Sequence, residues 1–442
     1  HDFQSSLEGK NVARGALLPE VNVSGWTGRE WQGGTSSSAS SNWNRRGYTL
    51  ELRQLLFDGF STRNQVRQLG LEKLSGYYEL LATVDQVALE AAQAHIDVLR
   101  YRELEELAQE NYQIHQSTLE HIKERQDSGV GRGVDLEQAY GRQALAQTNL
   151  MVESGNLNNV LQRYQRIVGI SAPSLLVSPP SVEADLPQPD TTKTFVAVLL
   201  KNPQLLAKQA LVQAAKAGKD VARGRFSPTI ELRASTGRDK NPNPANPNYR
   251  DAQSSNVQLT ASYNLYRGGA DSARVRQTAA QEYAARDVRD YTCRNMQQEL
   301  NVAWNTITQL RSQLPFLIEH ELATSRVRVA YMQQFQIGQR SLLDVLDTEN
   351  ELFDARRALA NARYDLQKAE LQWLMYAHKL LPALGLAQPY QEKPEEIKEL
   401  ELTEEMVEAC VQAIPDTNNL KPIRVNYREQ LQPPVLTTPS WQ

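Results

Sequence analysis

At 442 residues the chain has room for two or three ordinary domains or one large elongated one. Its 48 basic and 52 acidic side chains give a formal net charge of -4, without the basic excess of a nucleic-acid binder, so no nucleic acid is expected as a partner. Hydrophobic residues make up 40% and mean hydropathy is -0.55, which points to long, partly solvated helices rather than a thick core. The longest apolar run, Phe195 to Leu200, falls far short of the ~20 residues a spanning helix needs. Membrane contact is left to strands closed into a barrel. No signal peptide is visible at His1, and the chain opens inside what reads as a helix, so an upstream segment is expected to have been removed.

After that partial helix comes "PEVNVSGW", where Val21 and Val23 alternate with Glu20, Asn22 and Ser24. A Gly/Ser loop (33–41) follows, and "YTLELRQLLF" alternates Tyr48, Leu50 and Leu52 with Thr49, Glu51 and Arg53. Period-2 alternation predicts half-exposed strands over 19–31 and 47–58. Runs of ~10 residues cross a bilayer when tilted, with an apolar face for lipid and a hydrophilic face for water. A long helix is predicted over 62–126, a rod of ~100 Å, and a return helix over 134–168. A proline-rich connection occupies 171–203.

The pattern is then written a second time. "ARGALLPEVNVSGWTGR" from Ala13 answers "ARGRFSPTIELRASTGR" from Ala222, an offset of 209 that also relates Val66 to Val275, Gly129 to Gly338 and Asp135 to Asp344. One offset kept from Ala13 through Asp135 marks a duplicated unit. Repeat 1 takes 1–170 and repeat 2 takes 204–386, the latter with strands over 228–238 and 255–267, a long helix over 270–336 and a return helix over 341–382. In the return helix Leu352, Ala355, Leu359, Ala362, Leu366, Ala369, Trp373, Tyr376 and Leu380 step by threes and fours, an a/d seam. Val84, Val87, Ala91, Ala94, Val98 and Tyr101 do the same on the first long helix. The tail, 387–442, is acidic at first, with a short helix expected over 403–413.

"GQRSLLDVLDTENELFDARRALANARYDL", residues 338–366, sets Asp344 and Asp347 just behind a glycine. Ser341 with Asp344 fits the S-x-x-D start of a helix, so Asp344 is expected to cap it. A hydrolytic pair is disfavoured because nothing nearby supplies a pocket. A metal site is disfavoured because no histidine stands at ligand spacing. Neither a cofactor nor a metal is expected. Gly129, Gly131, Gly133 and Gly338 stand where the rods must reverse. "GVGRG" follows a helix rather than a strand, so it is not read as a phosphate loop.

Hairpin, long helix, glycine turn and return helix, duplicated, resemble the TolC family of bacterial outer-membrane channel proteins over roughly residues 10–386. The stretch 338–366, the paired "LLP" and "FSP" strand starts and "LYRGG" after the fourth strand carry the likeness. Within the family the chain is most like the outer-membrane component of type I secretion systems exporting large adhesins or agglutination proteins. The resemblance implies a mainly α fold with a β-barrel part. In it, a homotrimer builds a twelve-stranded outer-membrane barrel from four strands per protomer, continued by a periplasmic α-helical barrel. Four strands alone leave an open edge, which lipid does not tolerate.

The resemblance also assigns roles. Asp344 and Asp347 stand for the acidic rings of the periplasmic gate. Arg340 and its acidic partner Asp135 stand for the links that hold it closed, and Phe335 takes the place of a tyrosine. The turns at Ser128, Gly129 and Val130 and at Ile337, Gly338 and Gln339 are implied to meet a periplasmic adaptor (membrane fusion) protein. Beyond the adaptor lies an inner-membrane ABC transporter or a proton-driven pump; outer membrane lipid is a further partner. An oxidising periplasm allows a Cys293–Cys410 bridge, and two free thiols stay open as the other reading. The expected function is that of an outer membrane exit duct for type I secretion of a large surface protein, not an enzyme. The alternatives are the outer membrane component of a drug or metal efflux pump and, in another class, a soluble coiled-coil scaffold.

Overall fold

The computed structural model describes residues 1–33, 41–186, 192–243, 251–388, 390 and 393–412. Most of the first predicted hairpin loop, part of the second, part of the proline-rich connection and the tail beyond Gln412 lie outside the described residues. The chain forms two compact units, one from His1–Arg102, Gly155–Leu300 and Glu370–Gln412, the other from Glu103–Ser154 and Asn301–Ala369. Each unit takes segments of both sequence repeats, because each return helix packs on helices of the other copy.

The first unit carries α1 (Asp2–Gly15) and an antiparallel sheet of β1 (Glu20–Gln32), β2 (Ser41–Phe57), β3 (Thr229–Lys240) and β4 (Ala252–Ser262), in that order across the sheet. β2 begins at Ser41 rather than 47, because Ser41 to Arg46 pair with Gln32 to Thr27. Trp43 is the one apolar side chain among Ser41 to Arg46, so alternation gave no signal. β4 lies over Ala252–Ser262 rather than 255–267: it starts opposite Asp239 and stops at Ser262, where its partner begins at Thr229. The register puts Val21, Leu52, Leu50, Leu232 and Leu259 on one face and Glu20, Arg53, Glu51, Arg233 and Gln258 on the other.

Two helices of 67 residues, α2 (Ser61–Asp127) and α6 (Ala270–Gln336), follow the hairpins; α6 continues through Pro315. Asp58 starts α2 by accepting from the Thr62 N–H at 2.8 Å and the Thr62 hydroxyl at 2.6 Å. The return helices are α3 (Gly133–Val168) and α7 (Leu342–Tyr376), and α4 (Thr192–Leu199) and α5 (Pro203–Gly224) precede the second hairpin. In the core of the first unit Leu71, Leu74, Tyr77, Tyr78 and Leu81 of α2 meet Ala207, Ala210, Ala214 and Ala217 of α5. Small residues spaced by threes and fours let the two backbones approach and seat the larger side chains.

α7 ends at Tyr376 rather than 382. His378 donates its N–H to Met375 O at 3.0 Å and Lys379 donates to Leu374 O at 2.9 Å, a Schellman closure. His378 adopts φ 54°, and its Nδ1 lies 2.5 Å from Oδ2 of the buried Asp85. α8 (Leu380–Ala383) and α9 (Glu404–Glu408) complete the unit. The α7 seam is largely buried, at Leu352, Ala355, Ala362, Ala369 and Trp373. On α2, Ala94 and Val98 are buried but Val87 is exposed, since the buried face there runs through Leu89 and Ile96.

Glu396 draws the start of the tail inward, pairing with Lys10 of α1 and, at 2.7 Å, Lys73 of α2. Cys293 and Cys410 are joined in a disulfide, with Cα atoms 6.2 Å apart. No described helix is long and apolar enough to cross a membrane.

Candidate gate at the helix turns

The predicted gate residues all lie in the second unit, where α2 turns into α3 and α6 into α7. Both turns close the same way. Val130 donates to Arg125 O at 3.0 Å and Gln339 to Gln334 O at 2.8 Å, two positions 209 apart in the chain. Gly129 and Gly338 each take φ 78°, a left-handed conformation that costs a glycine nothing. Val130 and Ile337 project from the turns, 73% and 69% exposed. Ser128 instead folds its hydroxyl back onto Arg125 O at 3.0 Å.

Asp344 caps α7. Ser341 donates its hydroxyl to Asp344 Oδ2 at 2.8 Å and its N–H at 3.2 Å, while the Asp344 N–H donates back to Ser341 Oγ. Those donors, with Arg340 at 3.8 Å, hold the carboxyl below the usual carboxylate range. The cap is therefore complete above the unfolded value of 3.8 and is lost as pH falls through the lower folded value.

Asp347 points elsewhere, to an ion pair with Arg142 of α3. The sequence reading missed Arg142. Its counterpart one repeat later is Glu351, and that reversal of charge between copies was the signal available.

Arg340 stacks 4.2 Å from the Tyr331 ring centroid and donates to Gln334 Oε1 at 3.1 Å. Within the protomer it makes no ion pair with Asp135, which sits in the first turn of α3. Phe335 packs among Ile122, Leu342 and Leu346 in an apolar cluster, with the Arg125 guanidinium 5.5 Å from its ring centroid.

Arginines of α7 tie the four helices of this unit together. Arg356 reaches Glu110 of α2 at 3.0 Å and Glu321 of α6 at 3.3 Å. Arg357 holds the buried Glu153 of α3 at 2.6 Å, and Arg328 of α6 holds the buried Glu349 at 2.6 Å. Removing Arg328 takes the cation from the buried Glu349 carboxylate. No group of three or more His, Cys, Asp or Glu residues suited to a metal occurs among the described residues.

His115 of α2 is 1% exposed, and neither ring nitrogen has a hydrogen-bond partner, nor has the Asn350 amide nitrogen of α7. Burial pushes its pKa down; proximity to Asn350 opposes this and the Arg142 charge adds to it. The unfolded chain binds the proton more readily, so stability falls as pH drops below the unfolded value of 6.5. His115→Gln should reduce the loss of Tm between pH 8 and pH 5 by about 2 °C; parallel melting profiles for the two proteins would refute the burial argument.

Residues 1–169 and 195–373 match the profile of the family described as "Outer membrane efflux protein". The chain is 27% identical to the outer membrane efflux protein BepC of Brucella suis, over 78% of this chain and 75% of that protein. It is 25% identical to the outer membrane protein TolC of Escherichia coli, over 82% and 75%. It is 26% identical to the alkaline protease secretion protein AprF of Pseudomonas aeruginosa, over 85% and 80%. Among solved structures it is similar to the CmeC outer membrane channel of Campylobacter jejuni, with a TM-score of 0.77 at 16% identity, over 90% of this chain and 84% of that one.

Proposed function

The chain belongs to the outer membrane efflux protein family, and from that premise we propose that three copies build an exit duct, opened at its periplasmic end by an adaptor and an inner-membrane transporter. The observation that carries the reading is the four-stranded sheet. It has an apolar face, a charged face and two open edges, β1 and β4. Such a sheet enters lipid only when other copies pair both edges. The protein is then a channel in the outer membrane and catalyses nothing.

In the second unit, the turns bearing Val130 and Ile337 offer exposed apolar tips to the adaptor, beside Ser128, Gly129, Gly338 and Gln339. Asp344 and Asp347 of three protomers converge there as acidic rings. Arg340 reaches Asp135 of a neighbouring copy when the gate is closed, a link that one protomer leaves unmade. Phe335 contributes packing in place of a hydroxyl latch.

Type I secretion of a large surface protein is the preferred reading; the likeness to the alkaline protease secretion protein AprF supports its coarser part, protein export. The likeness to the outer membrane efflux protein BepC favours efflux, for which a drug or a metal is the alternative cargo of the same duct. A deletion strain separates the two: it loses a surface protein, or it loses tolerance to a toxic compound.

The assembly is tested by the mass of the protein extracted in mild detergent. A detergent-dependent trimer is expected. A monomer or dimer that stays dispersed without detergent would refute the barrel and leave the coiled-coil scaffold.

A further inference from the structure

The two faces of the sheet treat their cations differently. On the charged face Arg45 pairs with Glu30 at 3.0 Å and with Asp239 at 2.6 Å. Arg53 and Arg233 both pair with Glu231 there. The apolar face carries Val21 and Val23 on β1, Tyr48, Leu50 and Leu52 on β2, Ile230 and Leu232 on β3, and Val257 and Leu259 on β4. Beyond that band, toward the hairpin ends of the strands, the same face carries Arg29, Arg46, Arg238 and Lys240.

Register makes these four cations one group. Arg46 stands directly opposite Lys240, a pairing of like charges with Cβ atoms about 5 Å apart. Arg238 lies opposite Tyr48 and Arg29 opposite Asn44, so each is a diagonal neighbour of Arg46 at roughly 7–8 Å. Arg29, Arg46 and Arg238 are exposed. The carboxylate beside the group is Asp251, which Arg238 holds bidentate at 2.7 and 2.6 Å. Arg29 and Arg46 have no carboxylate partner among the described residues. Trp31, 73% exposed on the same face, has its ring centroid 6.0 Å from the Arg29 guanidinium, the amphipathic ring expected at a membrane interface.

Like charges set opposite each other destabilise a sheet unless something anionic covers them. The strands enter the helices at their other ends, β2 leaving at Phe57 just before α2, so the hairpin ends point away from the periplasm. We propose that Arg29, Arg46, Arg238 and Lys240 form a site for the phosphates of a phosphorylated lipid headgroup in the outer leaflet, one site per protomer. Guanidinium forks match phosphate oxygens geometrically, and the adjoining apolar band receives the acyl chains. The site rests on the outer-membrane barrel reading, which turns this face toward lipid, but it is complete within one protomer.

The test is native mass spectrometry of the detergent-purified full chain with lipid A carrying two phosphates, its monophosphoryl form and phosphatidylcholine. Two phosphates should bind more tightly than one, and phosphatidylcholine least. Arg46→Gln with Lys240→Gln should lower affinity about fivefold per cation removed. Arg46→Lys should retain binding, as should Arg45→Gln, which removes a charge from the opposite face. Undiminished binding by the double variant, or displacement of the lipid by millimolar inorganic phosphate, would overturn the site while leaving the barrel standing. A protein that forms no detergent-dependent trimer would overturn the barrel and the site with it. Should the double variant fail to assemble, equal binding of the bisphosphoryl and monophosphoryl forms to the parent protein would overturn the site.

Discussion

Replacing Asp344 and Asp347 together with alanine should weaken block by a multivalent cation at least about tenfold and move the channel's selectivity toward anions. Carboxylates that converge around a three-fold axis hold counter-ions because each charge lowers the potential at one common point. The two side chains do not contribute alike. Asp344 is bound to its own helix start through Ser341, so its alanine variant loses a cap as well as a charge. Asp344→Asn keeps an acceptor for the Ser341 hydroxyl while removing the charge, and it separates the two effects.

Asp347 is partly neutralised by Arg142. Arg142→Ala should therefore act in the opposite sense and tighten cation block. Single-channel recording in planar bilayers measures all three variants. A record unchanged by the double alanine substitution would refute the acidic rings, and Asp344 would remain a helix cap alone.

Cys293→Ser should cost up to about 4–5 kcal/mol of stability, because the bond it removes closes a loop across 117 positions. That order of magnitude follows from the chain entropy that so long a loop restores to the unfolded state. The bond does not act alone. The Gln297 side chain donates to Gln412 O at 2.6 Å and accepts from the Gln412 N–H at 2.8 Å, pairing with tail backbone as a neighbouring strand would. Val407, 1% exposed, is buried from the same segment. The variant should melt well below the parent, and a reductant should lower the parent to the same Tm and change the variant little. Trypsin should release the tail from the variant first. Equal melting temperatures in the oxidised parent and the variant would show that the side-chain contacts suffice.

Local features of this protein were legible in its residues. Alternation in "YTLELRQLLF", the S-x-x-D of Ser341 and Asp344, and the glycines at 129 and 338 each act through hydrogen bonds or side-chain periods spanning a few positions. The offset of 209 is likewise a property of the string, and it anticipated that two turns would close with the same backbone bonds. Where local signal failed, a partner was distant. The first residues of β2 are strand because β1 pairs with them, not because they alternate. α7 stops where the left-handed His378 finds Asp85, 293 positions away.

The tertiary structure alone decided which charges meet. The charge reversal between Arg142 and Glu351 marked the position but not its partner, because Asp347 lies 205 positions along the chain, on another helix. Asp135 shows the converse: matched to Arg340 by resemblance, it makes no ion pair with it within one protomer. The cysteines, spaced without pattern, are joined because the tail folds back onto α6. The sequence determined the periodicities, turns and caps, since those depend on neighbours along one strand or helix. Packing decided the ion pairs, the burial of His115 and the disulfide, since those depend on which helices lie side by side.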